Sequence, residues 1–284
     1  MGIQNRGYFK RNFEEPYEVL PQYEPLFDIM HVPHSGFSSV IKAQRNILMV
    51  NIAPRYEPKI LAQKDMWASP QLVISINAPN DTSMLNLIQA NKTKLVSLLE
   101  DMERKRMMDI FDSNIDLEIY QKIQEKFNIG LKVPKGYNIH IDSTDFIWLS
   151  NEYSSVVLGL MVYEYNYTDS ATFTKDYLIE KRNYITKKFI EGEIKGSYMV
   201  VEEEYGPFFS DYLLRGERYV AELRGLWRME KGIAMGGPFV NLTTLDEENN
   251  KIISVDGFVF AAGREKRNFM RQIEAIVLSL QIPG

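Results

Sequence analysis

Two successive series of short apolar segments, each followed by a helical pattern, constrain the fold of this chain more than any other feature. Apolar runs such as residues 156–163 have the length of strands and fall far short of the roughly 20 residues that span a membrane as a helix. Short strands followed by a covering helix are typical of α+β domains. The sequence therefore predicts an α+β fold with two packed halves, each a mainly antiparallel sheet covered by helices on one face.

The first half, residues 1–131, is predicted to contain strands followed by a long helix. Apolar runs of strand length occur at residues 26–32, 46–53 and 72–78. Asn80 and Asp81 then supply side-chain oxygens that suit a helix N-terminus, and leucine, isoleucine and methionine recur at helical spacing behind them. This pattern predicts a helix over residues 81–111.

The second half, residues 132–284, is predicted to be an antiparallel meander that ends in a helix. It follows a helical pattern at residues 116–127, which stops near Asn128 and Gly130, two residues that favour a left-handed cap. Strand patterns occur at residues 137–141, 146–149, 156–165, 197–205, 212–215, 217–229, 238–245 and 251–261. A helical pattern interrupts them after Thr172 or Thr174.

Composition excludes several classes of function. The 284 residues include 38 acidic and 33 basic side chains, a net charge of −5, and no Lys/Arg-rich run that could neutralise phosphates, so nucleic acid is not a predicted partner. The absence of cysteine excludes disulfides, cysteine-based zinc sites, iron–sulfur ligation and thiol catalysis. The sequence also lacks the glycine-rich phosphate loops, the G-x-S-x-G turn and the H-E-x-x-H helix. No cofactor is predicted.

The three histidines do not form a recognisable metal or catalytic motif. His31 and His34 flank Pro33 in an H-V-P-H segment, and proline biases its neighbour towards extended backbone, where side chains three apart point to opposite faces. His140 lies near Asp142 in a strand pattern, which indicates a polar surface cluster. The sequence therefore predicts neither a metal site nor a catalytic residue.

A strand and a glycine pair in the second half carry the first part of a candidate ligand site. Arg224 and Trp227 are three residues apart in a strand and should face opposite sides, with Trp227 in the core and Arg224 towards solvent or a partner. Gly236 and Gly237 stand in M-G-G-P-F, residues 235–239. This motif predicts a tight turn joining two strands, although two glycines also permit close approach of a backbone.

The second part of the candidate ligand site lies at the start of the last helical pattern. It is crowded with basic residues: Arg264, Lys266, Arg267 and Arg271. The helix dipole disfavours a cation at this end by a few tenths to about 1 kcal/mol each, so an anion should offset them. We consider either internal carboxylates, Asp256 or Glu274, or a pocket for a bound carboxylate or phosphate. The predicted ligand-binding set is Arg224, Trp227, Gly236, Gly237, Lys266, Arg267 and Arg271.

Several short motifs are shared with one family. They include R-G-L-W at 224–227, M-G-G-P-F at 235–239, D-G-F-V-F at 256–260, R-Q-I-E-A-I at 271–276 and D-M-W-A-S-P-Q at 65–71. In these motifs the chain resembles the Bacteroidetes envelope-protein family catalogued as domain of unknown function 4837. The resemblance implies a secreted lipoprotein, anchored through a cysteine after a signal peptide, with no established activity. That cysteine is absent from this sequence, which fits a leader that precedes it.

We therefore expect a non-catalytic binding or structural protein of the cell envelope. Its partner would be an envelope component or a small anionic ligand, and it would meet the membrane only through a lipid anchor. The alternatives are a hydrolase or transferase acting on envelope polysaccharide or peptide, and a cytoplasmic interaction protein. An enzyme predicts a cleft with converging carboxylates or a base of perturbed pKa, whereas a binder predicts an exposed apolar or aromatic patch.

Overall fold

A computed structural model describes residues 3–215 and 218–282 and divides into two compact units. The first unit comprises Met1–Glu15 and Pro25–Arg106, and the second comprises Pro16–Glu24 and Met107–Gly284. The boundary predicted at residue 131 stays a prediction. Among the described residues, no helix combines the length and apolar character that crossing a membrane requires.

The first unit is a small mixed sheet with helices. Its elements are α1 (Ile3–Phe13), α2 (Ser39–Lys42), β1 (Asn46–Ile52), β2 (Lys59–Lys64), β3 (Leu72–Ala78) and most of α3 (Asp81–Ser113). The strand order is β1-β3-β2, with β1 parallel and β2 antiparallel to the central strand. One face of β3 packs in a core with α1 and α3, to which Ile74, Met84 and Phe13 contribute. Asn80 caps α3 as predicted, because its Oδ1 accepts the Ser83 N–H at 2.9 Å.

The second unit contains an eight-stranded antiparallel sheet. Its elements are α4 (Leu117–Phe127), β4 (Asn138–Ser143), β5 (Phe146–Tyr153), β6 (Val156–Asn166), α5 (Lys175–Phe189), β7 (Tyr198–Glu202), β8 (Phe208–Leu214), β9 (Arg218–Glu230), β10 (Gly236–Asp246), β11 (Lys251–Ala261) and α6 (Arg267–Val277). The strand order is β4-β5-β6-β11-β10-β9-β7, and β8 also pairs with β9. Asn128 ends α4 in the left-handed conformation, as predicted.

The α+β class is confirmed, but in the larger sheet helices lie on both faces rather than one. Neighbouring residues of β11 establish this: Asp256 binds Arg182 of α5, whereas a side chain at Gly257 would meet Ile273 of α6. Alternate strand residues point to opposite faces. The eight-stranded sheet is therefore a central layer with α5 on one side and α6 on the other.

Two local predictions are wrong and one helix was not foreseen. Residues 26–32 form no strand, because the Leu26 N–H binds the Glu15 carbonyl and the Ile29 N–H binds the Glu14 carboxylate instead of a neighbouring strand. The M-G-G-P-F motif is not a turn, since β10 begins at Gly236. Helix α1 occupies a stretch in which the sequence suggested no element, and the predicted strand start at residue 217 lies outside the described residues.

Candidate functional site

The seven residues of the predicted ligand site are divided between the two faces of the large sheet. Trp227 faces the α5 side, as predicted for a core residue: its ring lies 5.6 Å from that of Phe258, and its Nε1–H donates to the Val259 carbonyl at 3.2 Å. Arg224 faces the α6 side. It was expected to face solvent or a partner, but it is ion-paired with Glu222 and Glu274 inside the second unit.

The two glycines serve close packing within the sheet. Gly236 and Gly237 oppose Arg228 and Trp227 in the β9–β10 ladder. A Cβ on Gly237 would stand 1.9 Å from the Val259 carbonyl oxygen, far inside van der Waals contact. The turn itself is made by the preceding residues, in which Gly232 has a φ of +101°. The alternative of close backbone approach therefore explains this motif, because the adjacent backbone leaves no room for a side chain.

The anion at the start of α6 is supplied from the N-terminal part of the chain. The buried Glu24 carboxylate accepts the Lys266 N–H at 2.6 Å and the Arg267 N–H at 2.8 Å. These backbone groups lie at the helix N-terminus, where no carbonyl of the helix can reach them. A carboxylate there satisfies both donors and interacts favourably with the helix dipole. Neither Asp256 nor Glu274, the two expected carboxylates, occupies this position.

Glu274 instead belongs to a chain of polar side chains between α6 and the sheet. Its Oε1 accepts bonds from the Tyr17 hydroxyl and from Arg224. Arg224 in turn binds Glu222, which accepts the Tyr212 hydroxyl at 2.6 Å. We call these residues, with Glu24, Lys266, Arg267 and Arg271, the α6 cluster. It brings together four of the seven predicted residues, with the Arg271 guanidinium 5.9 Å from the Tyr17 ring.

Burial and charge shift the protonation equilibria of the α6 cluster. Burial, followed by the negative charge of Glu274, holds the pKa of Tyr17 well above its usual range. Burial alone would lower the pKa of Arg224, but the nearby carboxylates of Glu274 and Glu222 outweigh it and raise that pKa. The tyrosine therefore stays neutral and the arginine charged at ordinary pH. Such groups are suited to holding α6 on the sheet, not to exchanging protons with a substrate.

A second buried polar network lies on the α5 face. The guanidinium of Arg182 forms a bidentate pair with Asp256, at 2.8 and 3.1 Å, and stands 3.8 Å from the centre of the Phe239 ring. Asn241 donates to Asp256 at 3.1 Å and to the Tyr163 hydroxyl at 3.0 Å. Arg182 and Asp256 are both fully buried, so removal of either partner would leave the other charge uncompensated. The Nη1 atom of Arg182 is buried without a hydrogen-bond partner among the described residues.

The histidine that the sequence placed in a surface cluster contacts a serine. Nε2 of His140 lies 2.7 Å from Oγ of Ser150, which donates to Glu152 at 2.8 Å. The carboxylate thus binds the serine, whereas in a catalytic triad it would orient the second nitrogen of the histidine. Ser150 is fully buried. Asp142 is engaged elsewhere, with Lys122 and Lys126, whose hydrogen bonds lower its pKa.

The first unit carries an exposed cluster that the sequence did not reveal. Phe37 and Trp67 meet edge to face with ring centres 5.4 Å apart, and the Lys42 ammonium lies 5.8 and 5.9 Å from the two ring centres. Val40 and Met66, which are close to these residues in the sequence, are 68% and 38% exposed. We call Phe37, Val40, Met66 and Trp67 the aromatic platform. Trp67 itself is 38% exposed, unlike Trp227 in the core.

Sequence reasoning missed several of these residues because nothing local identifies them. Glu24 and Lys266 are 242 positions apart. His140, which contacts Ser150, and Asp256, which binds Arg182, also belong to other elements than their partners. The D-M-W-A-S-P-Q motif was the one available signal for the aromatic platform. Among the described residues, no three histidine, aspartate or glutamate side chains are grouped so that they could hold a metal ion.

Comparison with known proteins returns two family models. The model described as "Domain of unknown function (DUF4837)" matches residues 116–279. A second model, described as "Domain of unknown function (DUF8532)", matches residues 7–112. No curated protein matches the chain. The two matched regions meet between the end of α3 and the start of α4.

Proposed function

This chain belongs to the DUF4837 family, and from that premise we propose that it is a non-catalytic binding protein of the cell envelope, lipoprotein-like and lipid-anchored in its mature form. The observation that carries the non-catalytic part is the internal pairing of its polar side chains. Glu24 caps a helix, Arg224 is held between two carboxylates, and Arg182 is closed on Asp256. The charges of these side chains are thus compensated inside the protein by other groups of the chain.

The aromatic platform supports a binding role. A binder is expected to expose contiguous apolar or aromatic surface, and large exposed side chains grouped around an aromatic pair are more informative than scattered ones. Phe37 and Trp67 are in contact, and Val40 and Met66, which are close to them in the sequence, are exposed. The proposed partner class is an envelope component. A small anionic ligand is a weaker candidate, because the α6 N–H groups already bind Glu24.

The envelope location is supported by the resemblance of the chain to secreted lipoproteins, and it can be tested directly. The complete natural gene should be expressed in its own host with an alkyne-labelled fatty acid. We expect a labelled protein in the membrane fraction, and loss of the label when the lipoprotein signal peptidase is inhibited. An unlabelled protein in the cytosolic fraction would refute the proposal and favour the cytoplasmic alternative.

One contact favours a second candidate function, a hydrolase or transferase acting on envelope polysaccharide or peptide. Ser150 and His140 are within hydrogen-bond distance, as a nucleophile and its base must be. A fluorophosphonate probe would label an activated serine. We expect no labelling, because Ser150 is buried and its hydroxyl donates a hydrogen bond to Glu152 and not to His140. Labelling that is lost in both Ser150→Ala and His140→Ala, with Ser210→Ala as the control, would establish the enzyme instead.

A further inference from the structure

We propose that the aromatic platform docks the first unit onto an anionic lipid surface. The inference rests on the proposed envelope location, and it adds the surface that makes the contact and the chemistry of what is contacted. Tryptophan is the side chain most enriched at the boundary between lipid and water, since its ring is amphipathic. Phe37 packs against Trp67, and the exposed side chains of Val40 and Met66, close to them in the sequence, are also apolar.

Cations outnumber anions in the two segments that carry the platform. Residues 37–45 and 62–71 contain three basic side chains, Lys42, Arg45 and Lys64, and one acidic side chain, Asp65, in a chain of net charge −5. Arg45 is ion-paired with Glu103 at 3.5 Å, so Lys42 and Lys64 are the cations that this surface offers. Asp65 is itself exposed, and its carboxylate accepts the Gln71 N–H at 2.8 Å. Lys64 forms no ion pair with any described residue. Cations beside exposed aromatic and apolar residues are complementary to anionic headgroups over an acyl layer.

The loop that presents Trp67 is held in shape by its own hydrogen bonds. Asp65 and Gln71 bind each other through the Asp65 N–H and the Gln71 carbonyl at 3.0 Å, in addition to the side-chain bond above. The fully buried Gln71 side chain accepts the Trp67 N–H and donates to the carbonyls of Lys42 and Gln44. One side chain thereby joins the loop to α2. Little conformational entropy is lost when such a surface binds.

The chemistry of Lys42 fits the same role. Its ammonium lies 5.8 Å from the Phe37 ring centre and 5.9 Å from the Trp67 ring centre, which are cation–π distances. When the rings enter the headgroup layer, the ammonium can reach a phosphate without leaving the aromatic pair. The platform therefore combines exposed aromatic and apolar side chains with a cation beside the two rings.

The test uses residues 1–284 without a lipid anchor, and vesicles of neutral phosphatidylcholine with or without one-third anionic phosphatidylglycerol. We expect the protein to sediment with the anionic vesicles, and we expect this binding to weaken as salt is added. The tryptophan fluorescence should shift to the blue on binding, and this shift should disappear in Trp67→Phe because Trp148 and Trp227 lie elsewhere. Trp67→Ala should lower the partition coefficient roughly tenfold. Lys64→Gln, an exposed change that leaves the loop intact, should lower it about fivefold.

The matched control is Phe208→Ala, an exposed aromatic residue in the second unit, which should leave partitioning unchanged. No binding to anionic vesicles, equal binding to neutral vesicles, or equal loss with Phe208→Ala would each overturn the inference. So would a Trp67 fluorescence change with envelope polysaccharide but not with vesicles. If the chain does not bind vesicles but is labelled with fatty acid in the host, only the proposed docking surface is refuted. If it binds vesicles but is unlabelled and cytosolic in the host, only the proposed envelope location is refuted.

Discussion

Replacing Glu24 should detach α6 from its cap and destabilise the second unit. In Glu24→Ala the Lys266 and Arg267 N–H groups lose their acceptor while they remain largely buried, at about 1–3 kcal/mol each, and the helix loses a favourable anion worth about 0.3–1 kcal/mol. Water that enters the vacated space recovers part of this. We therefore expect a loss of about 3 kcal/mol, and about 1–2 kcal/mol for Glu24→Gln, which keeps one acceptor oxygen.

The assay is urea unfolding followed by tryptophan fluorescence in a Trp67→Phe background. The two remaining tryptophans, Trp148 and Trp227, both belong to the second unit, so the signal reports on that unit alone. The matched control is Glu18→Gln, an exposed glutamate of the same segment, which should change the free energy of unfolding by less than about 0.5 kcal/mol.

An added anion gives the prediction a second test. Sulfate should raise the unfolding midpoint of Glu24→Ala more than that of the parent chain, because only the variant exposes the helix N–H groups to an external anion. Equal stability of Glu24→Gln and Glu18→Gln would refute the assignment of Glu24 as the cap. A parent chain that sulfate stabilises as strongly as the variant would instead favour the anion pocket that the sequence left open.

Three further predictions concern the second unit. Arg182→Met leaves the Asp256 carboxylate buried without its cation and should cost about 3–5 kcal/mol in urea unfolding; a loss below about 1 kcal/mol would contradict this. Because the pKa of Tyr17 is raised in the folded state, its contribution to the free energy of unfolding is complete below about pH 10 and declines as the pH rises further. The unfolding midpoint should therefore fall less steeply between about pH 10 and 12 in Tyr17→Phe than in the parent chain. An unchanged dependence of the midpoint on pH would contradict this prediction. Gly257→Ala places a Cβ 2.2 Å from Ile273 and should cost about 1–3 kcal/mol by overpacking, whereas a wild-type melting temperature would show that α6 can shift freely.

Regular elements could be predicted from the sequence where local pattern and tertiary context agree. The strand predictions at residues 72–78 and 251–261 match β3 and β11 to the residue, because both are apolar runs bounded by turn residues. The predicted helix at residues 81–111 matches α3 to within two residues at its end. The segment 26–32 also has the composition of a strand, but its Leu26 and Ile29 N–H groups bind Glu15 and Glu14, and the segment is irregular.

The site was less predictable, because its partners come from distant parts of the chain. The excess of cations at the start of α6 correctly indicated that an anion was needed, yet Glu24 could not be chosen among 38 acidic residues. The same holds for Arg182 and Asp256, which the α5–β11 packing brings together. Arg224 was expected to face solvent or a partner, because spacing gives the face of a strand and not what covers that face.

The position of Glu24 has a consequence for the order in which the protein can mature. The carboxylate emerges from the ribosome 242 residues before the first backbone group that it caps, so the start of α6 cannot be capped until that segment has also been made. The second unit of a nascent chain therefore stays incomplete until α6 has emerged. For an exported polypeptide that delay would be useful, because a translocation channel that threads unfolded chains accepts a polypeptide only before it has folded.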